Sequence, residues 1–477
     1  MVVGGVGMSC HANCQQFMAR RVARLICSAT NATATFVMPG NLSVNSGPMG
    51  HAKDTKEIFA CTVSSDRISS LPQEIKGYIL SYLNVEEAIR ASILSRTWRN
   101  VWTTMPVIRL CDSSFGSSEA SPQIARSKFV TLADLTLSLH EGPLISVSIE
   151  GNRSYHDVFD RWMYMLSRNK PFYITIKLIS GEKYKIPSSL FFITDLEHLT
   201  VKNCVISLPW DFDGFKCLTH LNLKLFSSTD SAINNLISSC PLLHSLCLKY
   251  FEGIRCLNIR AQVLYLLEVE GNFEDLHLFA PNLVHAYLTL DETEAHQSVQ
   301  LKGGSKSYLK QAFGSLTRIK TLTVSNTFLM YLSKGCMLTK MPGVFDHLEK
   351  ICIEGRLWTL TEIMAACSLF QNAPILSELD FWNYARAEDI MPKKMWDDDC
   401  VKIQAPTLDH LVTITLHDFM GFDCEVAFLG LLLSWAPALE ELKIEISGRT
   451  THHCICKAII KLLALPRASA KAKVLLI

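Results

Sequence analysis

Apolar residues follow two rhythms along this 477-residue chain. In "SSLPQEIKGYILSYLNVEEAIRASILSRTWRNVW", residues 69 to 102, they recur every three or four positions, the spacing of one helical face. Ser70 is placed to cap a first helix, with Pro72 in the opening turn, where a missing N–H goes unnoticed. Ile75, Ile79, Tyr82 and Leu83 make its apolar stripe. Asn84 can cap a second helix, with Glu86 and Glu87 complementing the dipole in its first turn and Ala88, Ile89, Ile93 and Leu94 as its apolar positions. Ser95 restarts a third helix carrying Trp98, Val101 and Trp102, closed by Pro106.

From Leu196 the rhythm changes to L-x-x-L-x-[LIV], in which period-2 apolar residues mark short strands buried on one face. It runs through Leu196/Leu199/Val201, Leu218/Leu221/Leu223 and Leu243/Leu246/Leu248, with steps of 22 and 25 residues from Leu199 to Leu221 to Leu246. Those steps suit leucine-rich repeats. Ala232, Ile233, Leu236 and Ile237 have helical spacing between two of the strands, and Cys204 falls where such repeats place an Asn or Cys to bond the turning backbone. A shorter rung aligns with itself at an offset of 19: Leu257 with Leu276, Ala261 with Ala280, Leu264 with Leu283. The same A-(P)-x-L idea returns at Ala405 and Leu408, and further rungs begin at Ile319, Leu348, Leu376 and Leu439. The expected fold class is α/β: a small three-helix module followed by an irregular solenoid of strand/helix repeats.

The opening module has two tryptophans and several branched aliphatics, more than three short helices enclose, so an exposed apolar surface for a protein partner is one reading. A helical cap on the following body is the other, and the residues alone leave both open. The stretch resembles an F-box. The plant pattern D-x-I-S-x-L-P-x-E-I-x-x-x-I-L-S-x-L is matched by Asp66, Ile68, Ser69, Leu71, Pro72, Glu74, Ile75, Ile79, Leu80, Ser81 and Leu83. Ala88, Arg90, Ser92, Leu94, Ser95, Trp98, Arg99 and Trp102 continue it, with departures at Asn84-Val85-Glu86 and Arg96-Thr97. The body resembles plant F-box/leucine-rich-repeat proteins, and "FLGLLLSWAPALEELKIEI" resembles the FBD segment of that family, a helix (Phe428, Leu429, Leu432, Leu433) leading into a strand (Leu439, Leu442, Ile444).

The resemblance implies residues 64–108 as the F-box, 109–400 as the repeat body and 401–477 as FBD-like repeats and tail, behind an extension at 1–63. It implies the substrate-recognition subunit of an SCF-type (Skp–cullin–F-box) ubiquitin ligase, binding a Skp-family adaptor and, through it, a cullin–RING ligase, with a target protein on the repeat body. Leu71, Pro72, Ile75, Ile79, Leu83, Ile93, Leu94 and Trp98 are the expected adaptor-binding residues. A leucine-rich-repeat scaffold or ligand sensor that assembles no ligase is the alternative.

Charge, cysteines and motifs adjust this picture only slightly. Lys plus Arg (46) nearly balance Asp plus Glu (45), so neither nucleic acid nor an anionic membrane is favoured as the main partner. The longest uncharged apolar window, "VAFLGLLLSWAPAL", suits a buried helix rather than a membrane span. Seventeen scattered cysteines read as reduced, mostly buried thiols in the cytoplasm or nucleus. Residues 1 to 53 contain no Asp or Glu but include Arg20, Arg21 and Arg24, the profile of an organellar signal. A plain extension is the preferred reading there, because the module behind it belongs in the cytosol or nucleus. "THHCICK" (His452, His453, Cys454, Cys456) and "CHANC" (Cys10, His11, Cys14) lack a complete ligand spacing, so no metal is expected. In "THHCICK", a strand would put Cys454 and Cys456 on one face. "WDDDC" and "LKGGSKSYLK" read as solvated loops. No phosphate loop, dinucleotide fingerprint, nucleophile elbow or H-E-x-x-H occurs, so neither an enzyme nor a cofactor is expected.

Overall fold

The computed structural model describes residues 70–93, 95–115, 121–290, 316–329, 345–355, 360–383, 406, 408–448 and 452–477, all within the unit Asp66–Ile477. The opening module contains α1 (Gln73–Leu80) and α2 (Val85–Ile93), then 3-10 turns at Arg96–Trp98 and Val101–Thr104. The third helix expected from the sequence is therefore two short turns. Ser95 Oγ caps the first by accepting from the Thr97 N–H at 3.3 Å. Arg99 then leaves the helical region and Asn100 turns left-handed at φ 65°, a conformation Asn tolerates better than most residues, so the helix cannot propagate. Ser70 does not cap α1 either: extended Pro72 occupies the cap position, with no side-chain bond. At α2 the Asn84 N–H donates to Glu87 Oε2 (3.1 Å), the returning half of a capping box.

Strands fill the rest of the unit: β1 (Val107–Cys111), β2 (Ser146–Gly151), β3 (Tyr173–Leu178), β4 (Tyr184–Lys185), β5 (His198–Val205), β6 (His220–Ser227), β7 (Ser245–Lys249) and β8 (Cys256–Arg260). They continue as β9 (Leu266–Glu270), β10 (Asp275–Phe279), β11 (His285–Thr289), β12 (Thr321–Ser325), β13 (Lys350–Glu354), β14 (Glu378–Trp382), β15 (Thr413–Phe419), β16 (Glu441–Ile446) and β17 (Lys473–Leu476). Fifteen of them form one sheet that follows chain order, with β4 placed off the path against β5. All its pairings are parallel, and they bring apolar residues into unbroken columns. One column runs from Ile108 and Val147 through Leu199, Leu221 and Leu246 to Leu442 and Val474. A second, two residues further along each strand, runs from Leu110 and Ile149 through Val201 and Leu223 to Ile444 and Leu476. Ile108, Leu199, Leu221, Leu246 and Leu442 are almost fully buried in one continuous core, each such side chain contributing about 1.5–3 kcal/mol.

The repeat pattern seen from Leu196 thus starts earlier, at Val107, directly after the opening module. The described connections include α3 (Pro122–Leu139), α4 (His156–Asn169), α5 (Ser188–Phe191), α6 (Asp230–Ser238), α7 (Leu360–Gln371), α8 (Asp423–Trp435) and α9 (His452–Leu463). Helix α6 carries the expected Ala232/Ile233/Leu236/Ile237 spacing, and α8 leads into β16 as the FBD-like segment predicts. The 19-residue offset has its own geometry. Strands β9 and β11 join the main sheet, while β8 and β10 pair with each other as a second, two-stranded sheet, Leu257 opposite Leu276. In this stretch strands stand where the neighbouring rung has a helix. Helix α6 closes the edge of β8: Asn234 Oδ1 accepts from the Asn258 N–H (2.8 Å) and its Nδ2 donates to the Cys256 carbonyl (3.2 Å). Ala405 lies outside the described residues; Leu408 is buried as expected.

Several strands kink just past their exposed face through a left-handed residue: Asn203 (φ 63°), Leu225 (φ 52°), Tyr250 (φ 56°) and Asp418 (φ 58°). At Asn203 the side chain exploits the kink, Nδ2 donating to the Leu178 carbonyl at 3.1 Å. This is the bond to the turning backbone expected of Cys204, which instead is buried with its thiol pushed up to about 12 by desolvation. Leu225, facing Asn203 on the next strand, holds the same backbone without any side-chain compensation. Left-handed geometry costs a β-carbon residue about 1–2 kcal/mol, so Leu225→Asn is expected to raise the unfolding free energy by about 1 kcal/mol. Chemical denaturation of the two proteins measures it, and a lower midpoint for the variant would contradict the strain.

Candidate functional site

Two surfaces stand out, one on the opening module and one on the sheet. The module has a small core of its own: Leu80, Ala88, Val101 and Met105, with Leu83, Ala91, Trp98 and Trp102 packed against it. Helix α1 turns Lys76, Gly77 and Leu80 inward. Gly77 permits a close approach: a β-carbon there would sit 3.0 Å from the Thr104 carbonyl oxygen. The Lys76 ammonium lies 5.8 Å from the Trp98 ring centre and donates to the Thr97 carbonyl at 3.4 Å, so its stem is buried while its charge is answered.

The apolar stripe read from the sequence largely faces the other way. Ile79 is 41% exposed, Tyr82 69% and Ile93 79%. Of the expected adaptor-binding residues, Pro72, Ile79 and Ile93 are therefore exposed and Leu71 and Ile75 are half-buried. Leu83 and Trp98 pack against the small core, and Leu94 lies outside the described residues. Val85 joins the large core of the sheet with Ile89 packed against it, and Arg109 of β1 donates to the Ser81 carbonyl. Module and sheet are thus one packed body. A helical cap accounts for Val85 and Ile89 but not for the apolar side chains turned to solvent at Ile79, Tyr82 and Ile93.

The second surface is the sheet face opposite the apolar columns, where every alternate residue points outward. Many of its charges answer each other. Lys249 Nζ lies 3.2 Å from Glu268 and 3.3 Å from Glu270; Lys350 lies 3.1 Å from Glu378 and 2.5 Å from Asp380. Tyr287 donates to Glu354 Oε2 at 2.6 Å and lies beneath the Lys249 ammonium. Burial raises the Glu354 carboxyl above its ordinary range, opposed by the Tyr287 hydrogen bond and reinforced by Glu270. Trp382 and His417 stack with ring centres 3.7 Å apart, His417 bonded to Glu445 at 2.6 Å. Cys247 and Cys352 also face this side, each thiol pushed up to about 12 by burial and a neighbouring carboxylate. Thiols held protonated in this way are poor nucleophiles.

The remaining chemical candidates resolve or fall outside. Residues of "THHCICK" begin helix α9 rather than a strand, so Cys454 and Cys456 are not on one strand face. Among the described residues no group of three His, Cys, Asp or Glu could hold a metal ion, and no helix is long and apolar enough to cross a membrane. "CHANC", "WDDDC" and "LKGGSKSYLK" lie outside the described residues.

Comparison with known proteins decides the family. The F-box/FBD/LRR-repeat protein At1g13570 of Arabidopsis thaliana is 30% identical over 432 residues, 86% of this chain and 98% of that protein. This chain belongs to the plant F-box/FBD/LRR-repeat family. A family model for the F-box domain matches residues 68–110. Another, for the LRR repeats of the FBD-associated F-box protein At5g56370, matches residues 174–379. F-box/FBD/LRR-repeat protein At2g04230 is 26% identical over 334 residues, covering 64% of this chain and 72% of that protein. F-box/LRR-repeat protein 25, from the same plant, is 28% identical over 243 residues, covering 49% and 88%. An F-box joined to leucine-rich repeats makes this family member a protein-interaction adaptor.

The Glu354 environment gives a measurable consequence. Its folded pKa stands above the ordinary value of 4.5, so folding favours the protonated acid. Its contribution to stability is present below that value and is lost as pH rises through the raised folded pKa. In Glu354→Gln nothing ionises, so the variant's stability relative to the parent is expected to rise between pH 4.5 and pH 7.5. Denaturation midpoints of both proteins at the two pH values test this; a difference that stays constant or moves against Gln would reject it.

Proposed function

We propose that this protein is the substrate-recognition subunit of an SCF-type ubiquitin ligase. F-box domains as a class bind Skp-family adaptors in cullin–RING ligases, and the observation that carries the reading here is the exposed apolar set on the module. Ile79, Tyr82 and Ile93 lie outside the module's own core and outside the core of the sheet. Burying such side chains against a partner is the largest gain available to this surface. Leu71, Pro72 and Ile75 border it at the start of α1; Leu94, expected from the sequence to bind the adaptor, lies outside the described residues. Leu83 and Trp98 act from behind by holding the helices in place.

In this reading residues 64–108 form the docking module, 109–400 the target-binding body and 401–477 its FBD-like end, working in the cytoplasm or nucleus. The protein performs no bond chemistry itself, as is typical of adaptors in its family. It raises the effective concentration of a target lysine beside a ubiquitin-loaded enzyme, the contribution that tethering makes to a bimolecular step.

Co-purification of the full chain with a plant Skp-family adaptor is the test. A stable complex is expected, and Leu71→Ala/Pro72→Ala should lose about 2 kcal/mol or more of binding, the scale of interface hot spots. Ile79→Ala/Ile93→Ala should weaken it comparably without lowering the denaturation midpoint, since both side chains are outside the core. Absence of a complex from folded protein would return the reading to an adaptor-free scaffold.

A further inference from the structure

On the outward face of the sheet, four adjacent main-sheet strands carry lysine at the same register. Lys177 of β3 pairs in register with Lys202 of β5, Lys202 with Lys224 of β6, and Lys224 with Lys249 of β7. Strands lie about 4.8 Å apart, so this row crosses about 14 Å of the face. The outer two are neutralised from neighbouring strands: Lys177 lies 2.8 Å from Glu150, and Lys249 near Glu268 and Glu270. The middle two, Lys202 and Lys224, have no ion pair or hydrogen bond among the described residues. Their strand neighbours carry lysine at the very register where other strands of this face supply a carboxylate. Like charges directly opposite each other weaken a sheet, so the fold gains nothing from the arrangement.

Beside this row lies a second unmet group. Asn222, two residues before Lys224 and opposite Thr200, has its Oδ1 buried without a hydrogen-bond donor. A buried acceptor left unpaired costs roughly 1–3 kcal/mol. The missing partners are thus different in kind: carboxylates for two ammonium groups and an N–H for one amide oxygen. An extended polypeptide supplies both, acidic side chains for the lysines and a backbone N–H for Asn222 once that side chain, whose Oδ1 is buried in the free protein, turns outward. Inorganic anions and phosphodiester backbones offer charge but no such donor. Lys177, Lys249, Lys350 and Lys443 on this face are answered by Asp and Glu, which favours carboxylate over other anions. We propose that the β3–β7 region of the open face, centred on Lys202, Lys224 and Asn222, docks an extended segment rich in Asp and Glu. Resting on the target-receptor reading above, this assigns the class of target that the receptor takes.

The test is selection from a random 12-residue peptide library on the immobilised full-length protein. Enriched peptides are expected to be acidic. A representative peptide should bind at least tenfold more weakly to Lys202→Gln/Lys224→Gln, and its Glu-to-Gln version should lose binding to the same degree on the parent protein. Binding should also fall with added salt. The double variant should keep or raise its denaturation midpoint, because two unpaired like charges are gone, and it should keep full adaptor binding. No enrichment, enrichment without acidity, or acidic peptides indifferent to the double substitution would each overturn the proposal. So would a single-stranded oligonucleotide that depends on Lys202 and Lys224 where acidic peptides do not. Adaptor co-purification is scored separately on the same preparations, so failure of the ligase reading and failure of the acidic-segment reading give different results.

Discussion

Everything in the body depends on the register of one parallel sheet. Because successive side chains point to opposite faces, a slip of one residue on any strand would turn its leucines to solvent and its polar residues into the core. The two apolar columns, from Ile108 to Val474 and from Leu110 to Leu476, oppose such a slip at every step. The same register aligns the residues beside the columns on the opposite face. Lys177, Lys202, Lys224 and Lys249 form a row only because Leu199, Leu221 and Leu246 already form a column. Core and surface are two readings of one constraint.

Register fixes the strands but leaves their connections free. Helix α6 crosses between β6 and β7, yet between β7 and β11 the chain takes its short 19-residue step and lays down β8 and β10 instead. Each solution has to satisfy its own backbone. In the described helical connections this is done internally; at β8 it is done by Asn234 reaching from α6 to the exposed edge. Variation between strands thus falls where it does not disturb the outward face, and that separation lets the face carry unusual charge without loss of the fold.

Where the repeat consensus is strong, the architecture is legible in the residues: the L-x-x-L-x-L strands from Leu196, the 19-residue offset, and the helix-to-strand step into β16 all read directly. The strands β1 to β3 are harder to read because "VIRLC", "SVSIEG" and "YITIKL" carry the period-2 pattern without the leading leucines, separated by long helices. The third helix of the F-box failed at Asn100, where left-handed backbone outweighs the apolar spacing of Trp98, Val101 and Trp102. Cys204 was expected to do what its neighbour Asn203 does, a one-residue difference set by which of the two occupies the kink. The apolar residues of α1 were visible, but which face they belong to was not. Ile79 and Leu80 are neighbours in sequence, and only packing shows that one is exposed and the other buried. The lysine row was invisible for a simpler reason: its members are 22 to 25 residues apart and become neighbours only once the register is known.

The junction between module and sheet connects these levels. Val85 and Ile89 of α2 pack into the core of the repeats, Arg109 of β1 binds the Ser81 carbonyl, and the Ile145 N–H donates to the Pro106 carbonyl at 2.8 Å. A flexible tether would let an adaptor and a target sample many relative positions, and the effective concentration would fall with the volume explored. Here the helices that carry the exposed apolar set of the F-box pack against β1, and the row from Lys177 to Lys249 begins two strands further on. In the proposed role, that continuity converts the identity of a bound segment into a defined distance from the adaptor. Burial of Val85, a residue that contacts neither proposed partner, therefore belongs to the mechanism as much as to the fold.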